Sequence, residues 1–139
     1  MLLSGVSEAW GQPSVTLTTA QDVSDGTEVL YWIESFGATG FYMIPMGTND
    51  NSGVSTSNMP NEKMLWYFMD ATENSVQYYY IVNKSTGKYL CHTGNLGDNN
   101  NIKIANKTEA NDASCKFTIS GSSGQWLISP QESNSFYVN

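Results

Sequence analysis

Residues 78–90 read Tyr78-Tyr79-Tyr80-Ile81-Val82-Asn83-Lys84-Ser85-Thr86-Gly87-Lys88-Tyr89-Leu90. The first five are aromatic or β-branched, the residue types that fit a pleated, half-buried surface. Asn83 to Gly87 then supply side chains and a backbone that tolerate a tight or left-handed turn. Lys88-Tyr89-Leu90 resumes the apolar alternation. The segment predicts a β-hairpin.

The scheme recurs on both sides. Upstream, Tyr31-Trp32-Ile33-Glu34-Ser35 leads through Ala38-Thr39-Gly40 to Phe41-Tyr42-Met43. Downstream, Trp126-Leu127-Ile128-Ser129-Pro130 leads through a polar turn to Ser135-Phe136-Tyr137-Val138. Ile33, Ile81 and Ile128 follow one another at steps of 48 and 47 residues, and Tyr42, Tyr89 and Tyr137 at 47 and 48. Two markers that keep one period are the signature of a repeat architecture. The period predicts three units, at about 27–75, 76–122 and 123–139.

Within the first unit the sequence predicts strands at 29–35, 41–46, 53–58 and 64–69. In the second they fall at 78–83, 88–92, 102–105 and 116–119. The third offers only its opening hairpin before Asn139, so it reads as truncated, with the native chain expected to continue. Residues 1–26 read as a tail or linker, in which Val15-Thr16-Leu17 could serve as a short strand. No stretch carries the 3.6-residue apolar period of a helix. The fold class is all-β.

Three four-stranded units, each opening on a hairpin, resemble the β-trefoil, and the phrase Tyr79-Tyr80-Ile81-Val82-Asn83-Lys84-Ser85-Thr86-Gly87-Lys88-Tyr89-Leu90 resembles the repeat of ricin-B-type lectins. The resemblance spans roughly 27–139. It implies a β-trefoil domain that binds carbohydrate without catalysis, of the kind often appended to secreted bacterial enzymes or toxins. Where the family carries Gln-x-Trp on its fourth strand, this chain reads Met64-Leu65-Trp66 and Cys115-Lys116-Phe117. The aromatic core position is kept and the Gln is lost. His92 stands near the place where many of these lectins set an aspartate.

Composition narrows the partners. The 139 residues hold six Lys+Arg against thirteen Asp+Glu, for a formal net charge of −7. Such a surface repels phosphate backbones and anionic headgroups. No apolar run approaches the ~20 residues of a membrane-spanning helix. Neither nucleic acid nor membrane insertion is expected. Met1-Leu2-Leu3 runs straight into Ser4-Gly5, without the basic and apolar regions of a signal peptide. That start is read as a mature form, a fragment, or a protein not exported by that route.

Chemistry for an enzyme is thin: there is one histidine, and most carboxylates fall in predicted turns. Neither a cofactor nor a metal is expected. Asp98-Asn99-Asn100-Asn101 lacks the spaced acids and bidentate Glu of a calcium loop. Cys91 and Cys115, in one unit, either bridge or stay two small buried apolar residues; the second reading is favoured here.

A shallow sugar site needs an aromatic face for the C–H patch of a ring, and fixed donors and acceptors for its hydroxyls. By the resemblance, the second unit nominates His92, Asn95, Asp98, Asn99 and Asn106. The first nominates Asp50 and Asn51, with Asn58 and Asn61 nearby. Trp32, Trp66, Trp126 and Phe117 read as core or barrel-rim residues. The function expected is a carbohydrate-binding module of a larger secreted or surface protein, with a glycan or polysaccharide as partner. The alternative is a trefoil used for protein contact, packing on other domains of a parent protein or inhibiting a protease.

Overall fold

The computed structural model describes residues 2–6, 13–16, 23–35, 37–93, 102–122 and 125–131. Among these lie eleven strands: β1 (Leu2–Val6), β2 (Pro13–Thr16), β3 (Gly26–Glu34), β4 (Tyr42–Pro45), β5 (Ser52–Ser57), β6 (Trp66–Asp70), β7 (Tyr79–Asn83), β8 (Tyr89–His92), β9 (Ile102–Ala105), β10 (Phe117–Ser122) and β11 (Gln125–Pro130). Every pairing between them is antiparallel. The strands β3, β4, β5, β9, β8, β7 and β6 pair in that order, and β6 returns to β3. Seven strands therefore close a barrel, which leaves no open edge around the ring.

One hydrophobic core explains the sequence period. Tyr31 and Ile33, Tyr79 and Ile81, and Trp126 and Ile128 are each at most 3% exposed. Two-residue alternation turns both members of each pair inward and the residue between them outward. Trp66, Phe68 and Phe117 fill the space between these pairs and are fully buried. The Tyr31 ring meets Phe68 edge-on at 5.1 Å, and Phe68 meets Tyr79 in the same manner at 6.0 Å. Burying side chains of this size contributes roughly 1.5–3 kcal/mol each. Their polar atoms are satisfied in place: the Trp66 indole N–H donates to the Met43 carbonyl at 2.9 Å, and the Tyr31 hydroxyl accepts from the Ser24 N–H at 2.8 Å.

The hairpin at residues 78–90 forms as its sequence requires. The Asn83 N–H donates to the Lys88 carbonyl, and the Gly87 N–H donates back to the Asn83 carbonyl. Gly87 has φ 68° and Gly40, in the corresponding β3–β4 turn, φ 82°, a region open to glycine at no steric cost. Asn83 is itself buried. Its side-chain amide donates to the Lys63 carbonyl at 2.8 Å, and its oxygen accepts from the Thr86 N–H at 3.1 Å. One residue thus fastens the hairpin turn to the segment that leads into β6.

Several expectations are refined. The strands predicted from Met64 and Lys116 begin instead at the aromatic residues Trp66 and Phe117, each preceded by a single 3-10 turn, Glu62–Met64 and Ala113–Cys115. Residues 1–26, read as a tail or linker, contain β1 and β2. The register of β1 sets Leu3 opposite Ile33, just as β6 sets Phe68 opposite Ile81 and β10 sets Ile119 opposite Ile128. β1 thus stands to β3 as β6 stands to β7 and β10 to β11. The strand expected at 135–138 lies outside the described residues.

Cys91 and Cys115 are bridged, which corrects the reading of two unbridged apolar thiols. The 3-10 turn at 113–115 lies against β8 and so brings the two together. Ala105, Tyr80 and Tyr89 pack around the bridge as a second, smaller core on the outside of the barrel.

Candidate functional site

The nominated residues of the two units meet where the 47–51 loop docks on β9. The Asn51 N–H donates to the Ile104 carbonyl at 2.8 Å, with Asn51 at φ 65°, a conformation that Asn tolerates better than most residues. That contact sets the Asp50 carboxylate beside β9. The carboxylate accepts from the Lys88 ammonium at 2.5 Å, from the Asn106 N–H at 3.0 Å and from the Asn106 side-chain amide at 3.2 Å. The Lys88 contact first, and the Asn106 N–H second, hold the Asp50 carboxyl below its usual range. Asp50 therefore stays ionised at neutral pH and faces solvent, with Asn51 and Asn106 exposed beside it. Three residues from two parts of the chain form one polar surface of amides and a carboxylate.

His92 ends β8 opposite Ile102 and is 5% exposed, which leaves it beneath the surface rather than on it. Asn95, Asp98 and Asn99 lie outside the described residues. Asn61 is a structural cap: its oxygen accepts from the Lys63 N–H at 2.9 Å and its amide donates to the Met59 carbonyl at 2.8 Å. Asn58 is exposed in the bend after β5.

A second polar cluster surrounds Lys116. Its ammonium, only 9% exposed, reaches Asp112 at 2.6 Å and Glu73 at 3.1 Å. The Tyr80 hydroxyl donates to Asp112 at 2.6 Å, and Lys107 adds a 3.1 Å contact to the same carboxylate. Hydrogen bonding from Lys116, then from Tyr80, holds the Asp112 carboxyl far below its normal range, and Asp112 in turn raises the Lys116 ammonium. Glu73 also accepts from the Gln131 side chain at 3.2 Å. The cluster thus ties the turn after β6 to β7, to the disulfide-bearing turn and to the end of β11. Its charged groups face one another, so it serves as a lock.

Aromatic faces lie on the outer surface of the two hairpins. Trp32 and Tyr42 pack with ring centroids 4.9 Å apart, and Tyr80 and Tyr89 with centroids 5.6 Å apart. All four are half-buried. The sequence places Trp32 among core or rim residues and offers Tyr42 only as a period marker. Its useful signal was that Tyr42 and Tyr89 recur one position outside the buried Met43 and Leu90. Among the described residues no group of three His, Cys, Asp or Glu side chains comes together as a metal site. No helix among them is long and apolar enough to cross a membrane.

Comparison with known families matches residues 62–139, more than half of the chain, to a family described as ricin-type beta-trefoil lectin domain-like. No curated protein and no solved structure matches the chain.

Proposed function

This chain belongs to the ricin-type beta-trefoil lectin-like family, and on that premise we propose that it is a non-catalytic carbohydrate-binding module. The match over residues 62–139 carries the reading. The all-β barrel agrees with it, and we read that barrel as a β-trefoil of three four-stranded repeats. The surface chemistry agrees as well. Only 14% of residues are charged, and the loops are rich in amides and hydroxyls that bond sugar hydroxyls without charge steering.

The sugar-contacting residues we assign are Asp50, Asn51 and Asn106, on the face where the 47–51 loop meets β9. Asn95, Asp98 and Asn99, which follow β8 in the sequence, and the buried His92 stay in the assignment on the strength of the family resemblance. An ionised Asp50, already accepting from Lys88 and twice from Asn106, keeps room on its carboxylate for one sugar hydroxyl and accepts it more strongly than a neutral group would. Each such site is shallow, so affinity per site is weak and several sites acting together supply avidity. We place the module in a secreted or surface-displayed protein that degrades or adheres to glycans. The Cys91–Cys115 bridge supports that placement, because disulfides persist in oxidising compartments.

A glycan microarray probed with the folded protein tests the proposal. Binding to one glycan class, weakened by Asn106→Ala with the melting temperature unchanged, is the expected result. A silent array from a well-folded sample would overturn it and favour a trefoil that contacts protein.

A further inference from the structure

We propose that the outer face of the β3–β4 hairpin is a sugar-stacking site, built from the rings of Trp32 and Tyr42 and the carboxylate of Glu34, which takes the apolar face of a neutral pyranose. The assignment rests on the lectin reading and names a site separate from the Asp50 surface.

Strand geometry puts the three groups together. Tyr31 and Ile33 point into the barrel, so Trp32 and Glu34 point out. On β4, Met43 is buried and Tyr42 points out. Glu34 and Tyr42 are direct cross-strand partners, and Trp32 lies diagonal to Tyr42, at the distance where large side chains on one face meet. The rings touch at a 56° tilt and form two walls of a shallow wedge. Glu34 accepts the Gly40 N–H through Oε1, which fixes the carboxylate against the turn and, among the described residues, leaves Oε2 for a ligand hydroxyl.

The equivalent pair on the β7–β8 hairpin shows what a closed version looks like. There the Tyr80 hydroxyl is held by Asp112, the Lys107 ammonium sits 5.0 Å from the Tyr80 ring centroid, and both rings pack against the disulfide cluster. The chain's own cation and acid occupy that platform. On the β3–β4 hairpin, Ile44 stands two residues after Tyr42, where Cys91 stands two residues after Tyr89. The Trp32 indole N–H is buried and has no hydrogen-bond partner among the described residues, so the residue offers its ring to a ligand and not its N–H. A platform of two rings beside a fixed carboxylate matches a sugar, which offers a C–H patch to one and hydroxyls to the other. The ligand is neutral because Glu34 and the chain's net charge of −7 repel uronate or sulfate groups.

The test is affinity electrophoresis of the full chain through gels containing a neutral polysaccharide (galactomannan, xyloglucan or arabinoxylan) or polygalacturonate as the anionic counterpart. The wild type should be retarded by at least one neutral polymer and run freely in polygalacturonate. Tyr42→Ala and Glu34→Gln should each weaken that retardation by about tenfold, the effect of losing one stacking or charge-assisted contact. Tyr80→Phe, at the closed platform, should leave it unchanged. Circular dichroism melting establishes that each variant is folded. Retardation equal to wild type in both Tyr42→Ala and Glu34→Gln would overturn this site while leaving the lectin reading intact. Preferential retardation by polygalacturonate would overturn the neutral-ligand assignment. A wild type that no polymer retards would overturn the site and the lectin reading together.

Discussion

Removing the Cys91–Cys115 bridge should cost about 3.5 kcal/mol, from the entropy a 24-residue separation withdraws from the unfolded chain. Both sulfurs are buried, at 1% and 0% exposure, so the perturbation is Cys91→Ala with Cys115→Ala. The paired alanines add no buried hydroxyl, as serines would. Two small cavities beside Tyr80, Tyr89 and Ala105 then add to the loss rather than offset it. For a domain of this size, 1 kcal/mol shifts the melting temperature by roughly 3–5 °C, so the double variant should melt about 10–18 °C lower. Guanidinium denaturation followed by tryptophan emission is the assay, because Trp66 and Trp126 are both buried in the hydrophobic core. Wild type in reductant should approach the double variant's midpoint. A midpoint unchanged in both the reduced protein and the double variant would refute the bridge as a tie across the second unit.

Three further outcomes follow from the same structure. Asn83→Ala removes an amide that holds the Lys63 carbonyl and the Thr86 N–H in a fully buried place, and should cost ~1–3 kcal/mol in chemical denaturation; an unchanged midpoint would show that these groups find other partners. Asp112, Glu73 and Asp50 have lowered carboxyl pKa values, so the stability they contribute is present above the unfolded values of about 4 and is lost as pH falls through the folded ones. The raised Lys116 contributes fully below about pH 10 and loses its share only as pH climbs beyond that. Melting temperatures should therefore hold level between about pH 5 and 9 and fall at both ends, with a shallower acid limb in Asp112→Asn; an acid limb identical to wild type would contradict the role given to that carboxylate. Deleting residues 1–16 should strip hydrogen-exchange protection from the amides at 30–34 that β1 pairs, while amides at 79–83 stay protected; unchanged protection at 30–34 would mean that β1 is not a stave of the sheet.

Much of the barrel was legible because its signals are local. The period of Ile33, Ile81 and Ile128 marks a buried position between outward-facing neighbours, and the Ser/Thr-Gly turns reverse the chain within five residues. β1 and β2 were harder to read, because Gly5 and Ser4 break the apolar alternation and the strands exist only through pairing, β1 with β3 and β2 with β1. The disulfide was misread for a related reason. Sequence gives the separation of two cysteines, while the bridge depends on a 3-10 turn lying against β8. The polar surface shows the same division: Asp50 and Asn106 were each nominated singly, and only the docking of Asn51 on Ile104 makes them partners. Trp32 was passed over because alternation shows that a residue points outward but not whether its ring is left open.

The central claim is that this barrel binds neutral carbohydrate in solution, and titration of the isotope-labelled protein with the best array glycan, followed by two-dimensional amide NMR, tests it most directly. Saturable shifts confined to the 32–42 hairpin and to the surface around Asp50, Asn51 and Asn106, with core amides such as that of Ile81 unmoved, are the predicted result. A spectrum of a folded protein that does not change at millimolar glycan would contradict the account.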